Sequence, residues 1–95
     1  MEQVVESKNT IIYLNINGLH PKSNQSKIEY LENYAKLNNS IIMCISESHL
    51  CPEILDSEIH IKNWISHRSD RLNSEKGGVV IYTKENILTT NYFEF

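Results

Sequence analysis

The chain has 95 residues and a formal net charge of −3, which allows one small domain and excludes a general electrostatic attraction to nucleic acid. An apolar fraction of 40% with 22% charged residues is typical of a folded domain rather than a disordered one. Two cysteines, an acidic start and the lack of any run of about 18 apolar residues exclude a disulfide framework, a signal peptide and a membrane span, and so predict an intracellular protein, nuclear or cytoplasmic and not secreted.

The first predicted element is a strand at Thr10–Ile16, which is rich in β-branched and aromatic residues. A loop follows, and Ser26 with Glu29 has the spacing of a capping box that begins a helix. The helix is expected to end at Asn38 and Asn39, and Ile41–Ile45 is the next predicted strand, in which Cys44 is expected to be a small buried hydrophobe. The apolar face of the helix recurs at helical spacing and comprises Ile28, Leu31, Tyr34, Ala35 and Leu37.

Strand, helix and strand in this order predict a βαβ unit with two parallel strands. Parallel strands place their carboxyl ends at the same edge of the sheet, where open α/β sheets bind ligands. Asn15 and Asn17 leave the first strand at that edge, and Glu47 leaves the second. The sequence therefore predicts that oxygen-bearing side chains from two strands meet at one place.

Two further strands are predicted at Trp64–Arg68 and Gly78–Thr83, joined by the polar turn Ser69–Gly77. They indicate an antiparallel hairpin added to the βαβ unit. The tail after Lys84 has the composition of a further strand. Gly77 and Gly78 lack the spacing of a phosphate-binding loop and indicate a turn or a close backbone approach.

Each candidate site residue also has a simpler interpretation. A glutamate after a strand is usually a solvated surface residue, and asparagines at positions 15 and 17 are typical of turns. His49 is as well explained by a packing or capping role as by contact with a ligand. Arg68 and Arg71 flank Asp70, and they form either a surface ion pair of small effect or a pair of guanidinium groups for phosphate. A zinc site is disfavoured, because the spacing of Cys44, His49, Cys51 and His60 fits no common pattern.

Three motifs in order, LNINGL (14–19), CISESHL (44–50) and HRSDRLNSEKGGVVIYTKENI (67–87), resemble the start of the endonuclease/exonuclease/phosphatase superfamily. The sequence is most similar to the apurinic-like endonuclease domain of non-LTR (LINE-type) retrotransposons, over residues 11–87. The resemblance implies the amino-terminal part of a four-layered α/β sandwich and a DNA phosphodiesterase that uses Mg²⁺, with Mn²⁺ as an alternative.

The same resemblance implies roles for individual residues. Glu47 matches the metal-binding glutamate of the family and Asn15 its active-site asparagine, so both are candidate catalytic residues. Asn17 stands where repair-type relatives carry a metal-linked aspartate. We expect His49, Arg68 and Arg71 to be the nucleic-acid-binding residues.

The family's later tyrosine, its Asp-x-Asn pair and its Asp-His pair do not occur in this sequence. Residues 1–95 therefore resemble a partial domain, inactive alone, that would nick DNA as part of a complete one. A chain of this kind is expected to be marginally stable and to self-associate through exposed apolar surface. The alternatives are a non-enzymatic α/β binding module, or a truncated repair nuclease or phosphatase of another branch; Asn17 and the R-x-D-R stretch favour the retrotransposon branch.

Overall fold

A computed structural model of the chain describes residues 10–24, 26–71 and 76–85. Its elements in chain order are strand β1, helix α1, strand β2, a short 3₁₀ helix and strands β3 and β4. The bounds are Thr10–Asn15 for β1, Ile28–Leu37 for α1, Ser40–Ser46 for β2, Asp56–Glu58 for the 3₁₀ helix, Trp64–Ser69 for β3 and Val79–Lys84 for β4. The predicted βαβ unit followed by a hairpin is confirmed, while residues 72–75 of the predicted turn between β3 and β4 and nearly all of the tail lie outside the described residues.

The strands form one four-stranded sheet in the order β1-β2-β4-β3. β1 and β2 are parallel, with Asn15 opposite Ser46, as expected when a helix connects them. β4 is antiparallel both to β2 and to β3, so the hairpin joins the sheet through its second strand. This mixed α/β sheet is consistent with the predicted fold class, the amino-terminal part of an α/β sandwich.

One face of the sheet carries the hydrophobic core, because every second side chain of each strand points to that face. Met43 and Ile45 of β2 and Tyr82 of β4 are fully buried there, together with Leu31 and Ala35 of α1. The Tyr82 hydroxyl donates a 2.6 Å hydrogen bond to the Ile59 carbonyl, and burial raises the pKa of Tyr82. The helix and the segment before β3 therefore close this face.

The opposite face of the sheet, which we call the open face, is apolar but poorly covered. The strand register aligns Tyr13 with Cys44, Cys44 with Ile81, and Ile81 with His67 across the four strands. Tyr13 is 74% exposed and Cys44 is only half-buried. The prediction that Cys44 points into the core is therefore wrong for this chain, because an unbroken apolar run does not reveal which face is covered.

The start of the helix also differs from the prediction. The N-cap residue is Lys27, whose side chain makes no capping bond, although the Ser26 hydroxyl accepts a 3.3 Å bond from the Ile28 amide. The capping box of Ser26 and Glu29 is therefore wrong. Leu37 is 85% exposed rather than part of the apolar face, because it follows the buried Ala35 by two residues and so lies on the other side of the helix.

Candidate functional site

The candidate site lies where the parallel strands β1 and β2 end. Beyond the strands, the two following loops continue to bond to each other: the Gly18 amide donates to the Glu47 carbonyl at 2.7 Å, and the Leu19 amide donates to the Ser48 carbonyl at 3.0 Å. Backbone hydrogen bonds thus fix the two loops side by side. The predicted meeting of the segments around Asn17 and Glu47 at one sheet edge agrees with this arrangement.

A second pair of backbone hydrogen bonds, which with the first pair we call the backbone straps, holds the Glu47 loop from its other side. The amides of Ser48 and His49 donate to the carbonyls of Gly78 and Gly77, at 3.2 and 2.8 Å. A Cβ atom at Gly78 would lie 2.8 Å from the Ser48 hydroxyl oxygen, closer than real Cβ atoms approach. Gly78 therefore permits the close backbone approach expected at this position, and the loop is held between two strands.

The backbone of the site is strained. Asn17, Glu47 and His49 all have left-handed backbone conformations, with φ of 50°, 55° and 58°. Asparagine tolerates this region well, whereas a glutamate pays a steric penalty of about 1–2 kcal/mol. Strained non-glycine residues of this kind cluster at functional sites, which weighs against the interpretation of Glu47 as an ordinary solvated residue.

The strain gives a test of stability. Replacing Glu47→Gly is expected to raise the free energy of unfolding by about 0.5–1 kcal/mol, since glycine adopts the left-handed region freely but makes the unfolded chain more flexible. Urea denaturation measures the change. Glu47→Gln keeps the backbone penalty and is expected to leave stability unchanged. A loss of stability in Glu47→Gly would show that the side chain stabilises the fold and is not strained for function.

The Glu47 carboxylate faces solvent and His49. Its Oε1 lies 3.4 Å from His49 Nε2, and the two side chains are 41% and 12% exposed. The His49 ring also meets His20 edge-to-face, with 6.4 Å between centroids. His49 therefore both packs and contacts the candidate ligand residue, and the carboxylate keeps an accessible side.

Asn15 and Asn17 form a turn, as the simpler interpretation holds. The Asn15 Oδ1 atom accepts a 3.1 Å bond from the Asn17 amide. Lys27, which the sequence did not point to, reaches back to this turn: its Nζ donates to the carbonyls of Ile16 at 2.6 Å and Asn17 at 3.3 Å. The turn is therefore fixed from the helix start, and it places two amide side chains beside the Glu47 loop.

Arg68 lies near the end of β3 and is held by ion pairs and hydrogen bonds within the chain. Its guanidinium donates to both Asp70 carboxylate oxygens, at 3.2 and 2.6 Å, and to Asp56 at 2.9 Å. Further bonds go to the carbonyls of Ile54, at 2.7 Å, and Cys51, at 3.0 Å. The side chain is 15% exposed, and its hydrogen bonds to the Asp70 carboxylate, opposed by burial, raise the pKa of Arg68. A phosphate contact by Arg68 would require it to leave these partners.

Arg71 is placed differently from Arg68. It is exposed, and a Cβ atom built at Gly77 would lie 2.6 Å from its side chain. Because the Gly77 carbonyl accepts the His49 amide, the side chain of Arg71 lies at the same end of the sheet as the Glu47 loop. Of the two predicted arginines, only Arg71 combines exposure with proximity to the candidate site.

The donor set at this edge suits a hard cation. Glu47 carries one accessible carboxylate, and the adjoining turn carries the amide oxygen of Asn17, while that of Asn15 accepts the Asn17 amide. Mg²⁺ takes oxygen ligands, often only one or two carboxylates with water completing the shell. Within the described ranges no group of three or more His, Cys, Asp or Glu side chains is arranged to hold a metal. The Ser48 hydroxyl is buried beside this loop without a hydrogen-bond partner among the described residues.

Comparison with solved structures identifies similar folds. The fold is similar to the AP endonuclease LMAP from Leishmania major, with a TM-score of 0.64 at 17% sequence identity. The match covers 80% of this chain but only 24% of that protein, so the chain spans about a quarter of its length. No protein-family model and no curated protein matches the sequence. The similarity therefore shows a nuclease-like α/β fold.

Proposed function

We propose that this chain is the amino-terminal part, recognisable over residues 11–87, of a metal-dependent endonuclease domain that nicks DNA. The observation that carries the proposal is the strained, accessible Glu47 carboxylate at the shared edge of two parallel strands, in a fold similar to an AP endonuclease. The sequence motifs support the endonuclease/exonuclease/phosphatase superfamily and, within it, the LINE-type retrotransposon branch.

In this proposal Glu47 and Asn17 hold Mg²⁺ or Mn²⁺, and Asn15 orders the turn beside it. The metal would supply polarisation of a phosphoryl oxygen and stabilisation of the leaving group. The Asx turn and the Lys27 bonds keep the amide groups in place, and the backbone straps keep the carboxylate beside them. These residues provide one side of an active site, which is why we expect the 95-residue chain to be inactive alone.

DNA would approach the same end of the sheet. Arg71 and His49 are the groups best placed to contact phosphate there, and Arg71 offers a guanidinium for bidentate hydrogen bonding. Arg68 would contribute indirectly, because its ion pairs fix Asp70 next to Arg71. A protein of this kind acts in the nucleus or the cytoplasm. The described chain contains no helix long and apolar enough to cross a membrane.

A second candidate, a non-enzymatic binding module, is favoured by the open face. An apolar sheet face with Tyr13 at 74% and Ile11 at 49% exposure is a surface that binds other chains or other copies of itself. The two candidates differ in metal dependence. A module that works through the open face needs no cation at Glu47.

The test is a titration of the ¹⁵N-labelled chain with Mg²⁺, followed by amide chemical shifts. We expect weak, saturable binding that shifts Glu47, Asn17 and Gly18 together, because an incomplete shell of one carboxylate and amide oxygens binds weakly. Glu47→Gln should abolish the response, and Asn17→Asp should tighten binding by adding a second carboxylate.

Glu53→Gln is the matched control for this titration, since that carboxylate is exposed and lies outside the two bonded loops. It should leave the Mg²⁺ response unchanged. Shifts that cluster away from residues 15–18 and 47–49, or that survive Glu47→Gln, would contradict the proposed site and favour the binding module.

A further inference from the structure

A second concave surface lies at the opposite end of the sheet. A cavity of about 410 Å³ opens beside Asn39, which precedes β2, and beside Trp64 and Lys84, which pair where β3 begins and β4 ends. Glu47 follows the other end of β2, a strand of seven residues, so the two places are separated by about 20 Å along the strand. The cavity therefore belongs to neither the candidate site nor the open face.

The cavity is basic in a chain that is acidic overall. Three lysines from three different segments line it: Lys36 from α1, Lys62 from the turn before β3 and Lys84 from β4. Among the described residues of the lining, the one acidic residue is Glu32, 3.9 Å from the Lys36 ammonium. Three positive charges against one negative leave a net +2 here, whereas the whole chain has a net charge of −3.

Ordinary structural roles account for part of this cluster. Lys36 lies in the last turn of α1, where a cation stabilises the helix dipole. The Lys84 ammonium lies 5.8 Å from the centre of the Trp64 ring, which is a cation–π contact. Neither role applies to Lys62, which is exposed. A concavity lined by like charges focuses their field and concentrates counter-ions.

We propose that this cavity binds a small anion that carries a diphosphate group. Its volume falls at the lower end of the range for small-molecule sites, and compact ammonium groups on flexible stems suit phosphate oxygens. The inference is independent of the proposed nuclease function, because none of the lining residues belongs to the site at Glu47.

Trp64 is the only tryptophan of the chain and lines this cavity, so its fluorescence responds to a ligand bound there. The chain is titrated with inorganic pyrophosphate at low ionic strength and without divalent cations. We expect a saturable change in emission that weakens as salt is added. Lys62→Met should raise the half-saturation concentration about three- to five-fold, the loss of one exposed ion pair. The cation over the indole ring is Lys84 and not Lys62, so this variant leaves the reporter intact.

Lys22→Met is the matched control, because Lys22 pairs with Glu58 at 3.4 Å and lines no part of this cavity. It should leave the titration unchanged. A linear, non-saturable response, or the same half-saturation concentration in Lys62→Met as in the natural chain, would overturn the proposal. So would a response to a short DNA duplex with none to pyrophosphate, which would make this end of the sheet a nucleic-acid surface.

Discussion

A complete domain that contains Glu47→Ala is expected to nick supercoiled DNA about a thousand-fold more slowly than the same domain with glutamate, or slower still. The complete domain is a chimera in which a full-length AP endonuclease supplies everything after Ile87. Groups that act as a unit lose nearly all their effect when one member is removed, and Glu47 is the one carboxylate of the donor set at the candidate site. Higher Mg²⁺ should restore little of the rate, because the described parts of the two bonded loops, residues 15–20 and 47–50, carry no second carboxylate that could replace the lost ligand. The measurement is the initial rate of conversion from supercoiled to nicked plasmid.

Two controls make this experiment decisive. Glu53→Ala in the chimera removes an exposed carboxylate from the segment after β2 and should leave the nicking rate unchanged. The 95-residue chain by itself should not nick. If the chimera folds and nicks DNA at the same rate with and without Glu47→Ala, Glu47 is an ordinary solvated residue at the end of a strand. Metal-dependent nicking by the 95-residue chain, lost in Glu47→Ala, would show that the half-site is sufficient.

The largest effect on stability is expected at Arg68. Arg68→Ala should lower the free energy of unfolding by about 3 kcal/mol, because it leaves the Asp70 carboxylate, 10% exposed, without its cation and two carbonyls without a donor. For a small domain this is a large share of the total stability. Urea denaturation followed by the fluorescence of Trp64 measures the change, at several protein concentrations so that self-association is separated from unfolding.

Arg71→Ala is the matched control for Arg68, since it removes the same side chain from an exposed position three residues on. It should change stability by less than about 0.5 kcal/mol. Arg68→Lys should give an intermediate loss, because one ammonium group cannot reach carboxylates and carbonyls on two sides as a planar guanidinium does. If Arg68→Ala and Arg71→Ala lower the free energy of unfolding by the same small amount, Arg68 has no structural role and forms only a surface ion pair with Asp70.

The edge location of Asn15, Asn17 and Glu47 was predictable because it depends only on local pattern and topology. A strand, a helix and a strand in sequence force two carboxyl ends to one edge, whatever the rest of the chain does. The left-handed conformation of Glu47 carries no such signal, since glycine or asparagine would be the expected residue there. The strain becomes visible only once the backbone straps on both sides of the loop are known.

Contacts between residues far apart in the chain could not be predicted from the sequence. Arg68 finds its partners at Cys51, Ile54 and Asp56, 12 to 17 residues away, and no spacing rule connects them. The motif R-x-D-R suggested phosphate recognition equally for both arginines, and only the fold separates the buried one from the exposed one. Lys27 is similar, because a lysine before a helix gives no indication that its ammonium will reach back to the carbonyl of Ile16.

The position of β4 in the sheet has a consequence for the order of assembly. Among the described strands, β3 has no sheet neighbour except β4, and β4 is also the second neighbour of β2. We therefore expect β3 and β4 to join the sheet together. Only then can the Ser48 amide bond to the Gly78 carbonyl, 30 residues away. Contacts at such separation form late and slowly compared with local ones. The loop that carries Glu47 therefore takes its final conformation only after β4 has joined the sheet, although β4 contributes no side chain to the candidate site.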